Sequence, residues 1–162
     1  MPNQDVNWTI DADGMAAAAD KYFMADDRSC SEAILKTGCE ALGIQSDLIP
    51  DIALGLGGGI GLQGHVCGAI SGAALVISLA MVKKVSDYPA RRMATYEAVS
   101  RVCKTLEKQL GSVQCRQLCD LDLTRLEGLQ KLMGGVKAQK CAGFVKETAR
   151  VLAEELRRIA AR

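Results

Sequence analysis

The hydrophobic and polar positions of this chain follow the period of α-helices, and no stretch shows the sustained alternation of a half-buried strand. Acidic residues, serine or proline stand where helices would begin, and glycine stands where several would end. The pattern predicts helices over about 11–24, 30–42, 65–84, 89–110 and 140–160, short helices opening at Pro50 and Ser112, and a loop at Gly134-Gly135. We therefore expect an all-α fold, a single-domain bundle of about five to seven helices.

The most apolar stretch of the chain is residues 66–82. Its 17 residues reach only the lower limit for a membrane-spanning helix. It contains two glycines and two serines, and no second apolar span accompanies it. A buried central helix that follows a glycine-rich loop is therefore the favoured interpretation. Residues 1–10 are predicted to form a loose lead-in, and residues 11–162 a single helical domain.

Charge and aromatic content argue against several classes of partner. The 20 basic and 19 acidic residues are mixed along the chain and leave a net charge of +1, which predicts binding to neither nucleic acid nor a membrane surface. One tryptophan, three tyrosines and two phenylalanines offer few surfaces for base stacking. The opening residues, MPNQDVNWTIDADG, lack the basic and apolar pattern of a secretory leader, so we expect a cytoplasmic protein.

Seven cysteines are many for this length, and a reducing compartment favours metal-binding, redox-active or buried cysteines over a disulfide framework. Cys30 and Cys39 lie about half a turn out of phase on one predicted helix, so they cannot face the same site. Cys39 shares its helix face with leucines, and Cys103 shares its face with aliphatic residues at helical spacing. We interpret Cys39 and Cys103 as core residues.

Four other cysteines share a position at or near a predicted helix start: Cys30, Cys67, Cys115 and Cys141. The partial positive charge and free N–H groups of a helix N-terminus favour a thiolate over a thiol, and thiolates bind metals and exchange disulfides. Cys119 follows Cys115 by four residues and is a reserve candidate for the same site. CxxC pairs and ferredoxin spacings are absent from the sequence, so any site must assemble through the fold.

The glycine-rich segment GLGGGIGLQG contains a literal GxGxxG motif from residue 59 to residue 64. Since no strand is predicted before it and no parallel strands follow, a nucleotide site is disfavoured. Glycine instead lets a backbone turn tightly and approach another group closely, so we expect the loop to present Cys67. The predicted cofactor-binding residues of this segment are Gly58, Gly59, Gly61, Gly64 and His65. His65, the only histidine, is either a ligand beside Cys67 or a surface residue.

Four segments of the chain together resemble a known family. They are SCSEAI from Ser29, GLGGGIGLQGHVCGAISGA, GSVQCRQL from Gly111 and CAGFV from Cys141. In this order and spacing they are similar to the redox-active proteins named for their C_GCAxxG_C_C motif, over roughly residues 20–156. The central segment has VCGAISG in place of a literal GCAxxG, although the cysteine, the alanine and the downstream glycine are present.

The resemblance assigns the four named cysteines of the family to Cys30, Cys67, Cys115 and Cys141, and leaves Cys39, Cys103 and Cys119 outside the motif. It implies redox or iron–sulfur chemistry without fixing a reaction. A related domain occurs in an unusual cytochrome that also carries an iron–sulfur centre.

Three hypotheses follow for the four cysteines. The leading one is a [2Fe–2S] cluster, with all four as metal ligands, in an electron-transfer protein or oxidoreductase. The second is thiol–disulfide chemistry without metal, with Cys67 as the catalytic nucleophile. The third is a structural zinc site, or a plain helical interaction module. The sequence names no redox partner, and the amphipathic last helix packs either within the domain or in a homodimer.

Overall fold

The computed structural model describes residues 8–162, and these form seven α-helices with one 3₁₀ and one π-helical segment. The α-helices are α1 (Ala12–Met24), α2 (Cys30–Ala41), α3 (Gly68–Lys84), α4 (Tyr88–Leu110), α5 (Cys115–Cys119), α6 (Leu126–Lys131) and α7 (Ala142–Ala160). The 3₁₀ segment is Asp51–Leu56 and the π segment is Leu132–Cys141. Within residues 8–162 there is no β-strand, only an isolated bridge between Val66 and Gln114. The predicted all-α fold is confirmed.

The hydrophobic core lies between α1, α2, α3 and α7, and α4 packs against α3 and α7 and adds its own buried face, which includes Leu106. Helix α7 is strongly amphipathic and buries one face, which includes Val145, Leu152 and Ile159. Helices α2 and α3 approach closely because glycines lie where they meet: a Cβ on Gly38 would stand 2.5 Å from the Val76 methyl groups. The buried central helix predicted from the apolar stretch is thus α3. No helix in the described part of the chain is long and apolar enough to cross a membrane.

Local capping signals place the main helix ends. Asp11 accepts a hydrogen bond from the Gly14 amide at the start of α1, and Asp87 does the same for Ala90 at the start of α4. Gly111 ends α4 in the left-handed conformation, with φ 84°, which glycine adopts without steric cost. These boundaries agree with the helices predicted from sequence.

Two predictions for the second half of the chain were wrong, and one helix was missed. The helix predicted to open at Ser112 begins at Cys115, and α6 was not predicted. The predicted loop at Gly134-Gly135 lies inside the π segment, which runs from α6 into α7 with only Gly135 leaving helical geometry at φ 152°. Glycine lowers helix propensity by only about 1 kcal/mol per residue, so the packing of the segment between α5, α6 and α7 overrides it.

The predicted lead-in is only partly visible. Residues 1–7 lie outside the described residues. Residues 8–10 have no regular structure, yet the Thr9 amide donates a hydrogen bond to the Ala41 carbonyl at 3.0 Å, and Trp8 and Ile10 pack partly against the core.

Candidate functional site: a cavity lined by five cysteines

Five of the seven cysteines line one cavity of about 450 Å³: Cys30, Cys67, Cys115, Cys119 and Cys141. They come from five places in the fold: the first residue of α2, the residue before α3, the two ends of α5 and the last residue of the π segment. Most of the remaining lining is apolar, with Phe23, Leu118 and Phe144 among it. The fold therefore gathers soft sulfur donors in a largely apolar space.

Cys39 and Cys103 lie away from this cavity. Cys39 is 1% exposed and belongs to the core between the helices, where burial raises its pKa to about 11. Cys103 is half-buried on α4 and packs against the core, and burial raises its pKa as well. The phase argument from sequence had separated these two cysteines from the others.

The glycine-rich loop wraps the cavity in a left-handed backbone turn. Residues 58–62 all have positive φ, from 56° to 70°, and two of them, Ile60 and Leu62, are not glycine. A β-branched residue in this region is strained, and such strain persists where the surrounding structure imposes it. The turn brings the Gly58 amide to the Cys30 sulfur, to which it donates a hydrogen bond.

The loop is fastened to the segment that carries Cys115. The Cys67 amide donates to the Val113 carbonyl at 2.8 Å, and the Cys115 amide donates to the His65 carbonyl at 2.7 Å. These bonds flank the bridge between residues 66 and 114. They hold Cys67 and Cys115 next to each other on the cavity wall, although the two residues are remote in sequence.

The predicted cofactor-binding residues divide into two groups. Gly58 and Gly61 line the cavity. Gly59 and Gly64 instead let the loop pack tightly: a Cβ on Gly59 would meet the His65 backbone at 2.5 Å, and one on Gly64 would meet the Arg116 side chain at 2.8 Å. The His65 side chain is exposed and lies outside the cavity lining, so the structure gives it a main-chain contact to Cys115 and no place among the thiols.

Cys30 and Cys67 form a hydrogen-bonded pair. The Cys67 thiol donates to the Cys30 sulfur, and amides of Gly58, Ser31 and Ala69 add further donors, so the pKa of Cys30 falls to about 7 despite burial. The same hydrogen bond, with burial, raises the pKa of Cys67 well above its ordinary value. The thiol that ionises near neutral pH is therefore Cys30, whereas Cys67 is the nucleophile predicted from sequence.

Cys115 and Cys141 favour the protonated form. Burial, followed by the charge of Cys119, raises the pKa of both Cys115 and Cys141 to about 12. The helix-start argument thus holds only for Cys30. It fails at Cys141 because that residue ends the π segment and continues directly into α7, so it has no free helix N-terminus. At Cys115 burial outweighs the dipole of a single helical turn.

Charged residues at the cavity are paired with one another. Glu32, only 3% exposed, accepts hydrogen bonds from the Ser29 amide and hydroxyl and forms an ion pair with Arg28 at 3.0 Å. Lys137 Nζ lies 2.6 Å from Asp27 Oδ1 and 4.7 Å from the centre of the Phe23 ring. Because these charges are neutralised locally, the thiols dominate the chemistry of the site.

The donor set can be compared with what a metal group requires. Among residues 8–162, no three His, Cys, Asp or Glu side chains converge in a way that could hold a single metal ion. That geometry does not favour a structural zinc site, which needs about four ligands at one point. The ligands of an iron–sulfur cluster bind different irons, so they surround a volume. The five thiols that line the 450 Å³ cavity match that requirement in number and in the chemistry of their sulfur donors.

Comparison with known proteins agrees with the site. Residues 28–155 match the family described as "Putative redox-active protein (C_GCAxxG_C_C)". The chain belongs to this family. An uncharacterized protein of Archaeoglobus fulgidus is 29% identical to it over 119 residues, which cover 68% of this chain and 79% of the relative. No solved structure gives a significant match.

Sequence reasoning gave too little weight to two groups of cavity residues. Cys119 was only a reserve candidate, and its i, i+4 spacing from Cys115 was the available signal. The sequence did not place Phe23, Asp27 and Lys137 together at the cavity, since no local pattern links the end of α1 to the π segment.

Proposed function

We propose that the protein is an electron-transfer protein that holds an iron–sulfur cluster, of the [2Fe–2S] type, in the cysteine cavity. The observation that carries the proposal is the meeting of five thiols from separate parts of the fold at one apolar cavity. Cys30, Cys67, Cys115 and Cys141 are the proposed ligands, as the family motif suggests. When bound, such a cluster supplies a one-electron redox couple.

The ionisation behaviour of the cavity supports this proposal. Burial raises the pKa of Cys67, Cys115 and Cys141, so the metal-free cavity holds mostly neutral thiols at neutral pH. Several thiolates in an apolar space are tolerated only when cations compensate their charge, and metal binding releases the thiol protons for that reason. Thiol–disulfide exchange without a metal would need only two cysteines, whereas five line the cavity.

Residues around the ligands have separate roles in the proposal. Amides of Gly58, Ser31 and Ala69 hydrogen-bond the Cys30 sulfur, and such bonds stabilise negative charge on the sulfur and raise a reduction potential. Apolar side chains, including Leu118 and Phe144, limit water around the thiols. The partner that donates or accepts electrons is proposed to be another redox protein.

The test is anaerobic purification followed by reconstitution with ferrous iron and sulfide. We expect about two irons and two acid-labile sulfides per chain, with visible absorption that bleaches on reduction. Cys67→Ala should abolish iron uptake, while Cys103→Ala, a half-buried cysteine outside the cavity, should leave it unchanged. A colourless, iron-free protein after reconstitution overturns the proposal.

The second candidate is thiol–disulfide exchange, favoured by the hydrogen bond between Cys30 and Cys67. In this scheme the Cys30 thiolate attacks a partner disulfide, and the first partner sulfur leaves as a thiolate that takes the Cys67 proton. Cys67 then attacks the Cys30 sulfur and expels the second partner thiolate, so two electrons pass to the partner disulfide. Oxidation of the metal-free protein by glutathione disulfide should give a Cys30–Cys67 disulfide by mass spectrometry, and failure to form it excludes this scheme.

A further inference from the structure

A fifth thiol shares the cavity although the family motif names only four cysteines. Cys119 is 2% exposed and lines the same cavity as the motif cysteines. It follows Cys115 by one helical turn on α5, so both side chains leave the same face of that helix. Asp120, in the left-handed conformation with φ 55°, ends the helix directly after Cys119.

Cys119 lies on one side of the cavity. It is hydrogen-bonded to Cys115. Helix α5 packs mainly against the π segment, which ends at Cys141, and makes little contact with α2 or α3, next to which Cys30 and Cys67 lie. Cys119 therefore lies on the Cys115 and Cys141 side of the cavity.

This asymmetry has a chemical consequence. A four-ligand site that includes Cys115 and Cys141 has a spare sulfur donor of the same type next to both of them. The Cys30–Cys67 pair has no such neighbour, since Cys39 lies in the core away from the cavity. Thiolates are equivalent soft ligands, so proximity decides which of them can substitute.

We propose that Cys119 is an alternative ligand that can replace Cys115 or Cys141, but not Cys30 or Cys67, in binding the iron–sulfur cluster. The inference rests on the proposed function. It adds a cluster ligand outside the four-cysteine motif. It also predicts that cluster binding tolerates the loss of Cys115 or Cys141 better than the loss of Cys30 or Cys67.

The test compares iron and sulfide content, absorption and electron paramagnetic resonance spectra of reconstituted variants. Cys30→Ser and Cys67→Ser should lose more than tenfold in iron content. Cys115→Ser and Cys141→Ser should keep at least half of the wild-type iron, with shifted resonance values. The double variant Cys115→Ser/Cys119→Ser should lose iron as fully as Cys67→Ser, while Cys119→Ser alone should match the wild type.

The outcomes separate the two proposals. If the wild type binds iron but Cys115→Ser and Cys141→Ser lose it as completely as Cys67→Ser, the alternative-ligand role is overturned and the cluster stands. If the double variant retains iron, the role of Cys119 is overturned as well. If the wild type binds no iron, both proposals fail.

A measurement on the metal-free wild type does not depend on whether variants fold. Dibromobimane joins pairs of neighbouring thiols and becomes fluorescent only when both arms have reacted. Because Cys30 reacts first and the pKa values of Cys115 and Cys141 are raised, excess reagent at alkaline pH is used until all cavity thiols have reacted. Peptide mapping should then find Cys119 joined to Cys115 and to Cys141. Complete labelling in which Cys119 is joined to neither of them would contradict the proposed position of Cys119.

Discussion

The Cys67 thiol donates a hydrogen bond to the Cys30 sulfur, and this contact divides the two cysteines into a thiolate and a thiol. Cys30 begins α2 and Cys67 directly precedes α3, so the contact also joins two central helices of the core at the cavity. The left-handed loop adds the Gly58 amide to the same sulfur. Cys30 is therefore the sulfur of the site whose negative charge is best stabilised, because protein hydrogen-bond donors surround it in place of water.

In the metal-free protein, Cys30 should be the first cysteine to react as pH rises. Its pKa of about 7 lies below the ordinary value of 9.0, so its alkylation rate should increase through neutral pH and level off above it. Cys67→Ala removes the largest cause of the lowered pKa and should move the midpoint upward. Iodoacetamide labelling against pH, read by mass spectrometry, measures both midpoints. A Cys30 midpoint at or above the ordinary value would contradict the hydrogen bonds assigned to its sulfur. Cys103, whose pKa is raised, is the internal control and should react slowly.

Gly68→Ala should damage the site through one methyl group. A Cβ at residue 68 would lie 2.6 Å from the Cys30 sulfur and 3.0 Å from the Leu56 carbonyl, so the sulfur must move. We expect a loss of about 1–3 kcal/mol in the free energy of unfolding and reduced iron uptake. Gly143→Ala is the matched control, because its Cβ meets nothing within 4 Å, and alanine there should stabilise α7 by up to about 1 kcal/mol. If urea unfolding gives the two variants the same change in the free energy of unfolding, the close packing at residue 68 is contradicted.

Glu32→Gln should weaken the start of α2. Burial alone would raise the pKa of Glu32, but hydrogen bonds from Ser29 and the Arg28 ion pair outweigh burial and lower it. The substitution should cost about 1 kcal/mol at neutral pH, because the capping box keeps its shape and loses its charge. Urea unfolding measures this cost, with the exposed Glu127→Gln as control.

The same carboxylate predicts a direction for the pH dependence. Since the folded-state pKa of Glu32 lies below its ordinary value, its stabilisation is complete above the ordinary glutamate range and is lost as pH falls through the lower folded value. The difference in stability between wild type and Glu32→Gln should therefore shrink on acidification. A difference that stays constant down to acidic pH would show that the charge of Glu32 is not the cause.

Lys137→Met should loosen the π segment at the cavity. Lys137, with its side chain 14% exposed, joins this segment to Asp27 beyond the end of α1 and lies over the Phe23 ring. We expect amide hydrogen exchange of residues 132–141 to accelerate several-fold, because local opening no longer has to break this contact. Lys131→Met, which removes an exposed i, i+4 pair with Glu127, should leave the exchange of 132–141 unchanged. Slower or unchanged amide exchange in the Lys137→Met variant would show that Lys137 does not hold the π segment to Asp27.

The sequence by itself determined the all-α fold and several helix ends. Asp11 caps α1 and Ser29 caps α2, as an acidic residue and a serine before the predicted helices indicated, and Gly111 ends α4. These signals are readable because a cap or a left-handed glycine acts within a few residues through hydrogen bonds and sterics. Helical phase also separated Cys39 from Cys30 without any structure.

Only the tertiary structure decided which thiols meet and which of them ionises. Cys119 joins the cavity because α5 packs there and ends at Asp120. Cys141 faces the cavity as the last residue of a π segment, where the sequence predicted the start of a helix. The pKa of Cys30 and the pKa of Cys67 move in opposite directions although both cysteines lie at helix starts. The physical reason is that burial, thiol–thiol hydrogen bonds and charge coupling depend on distances between segments remote in the chain, which no local pattern specifies.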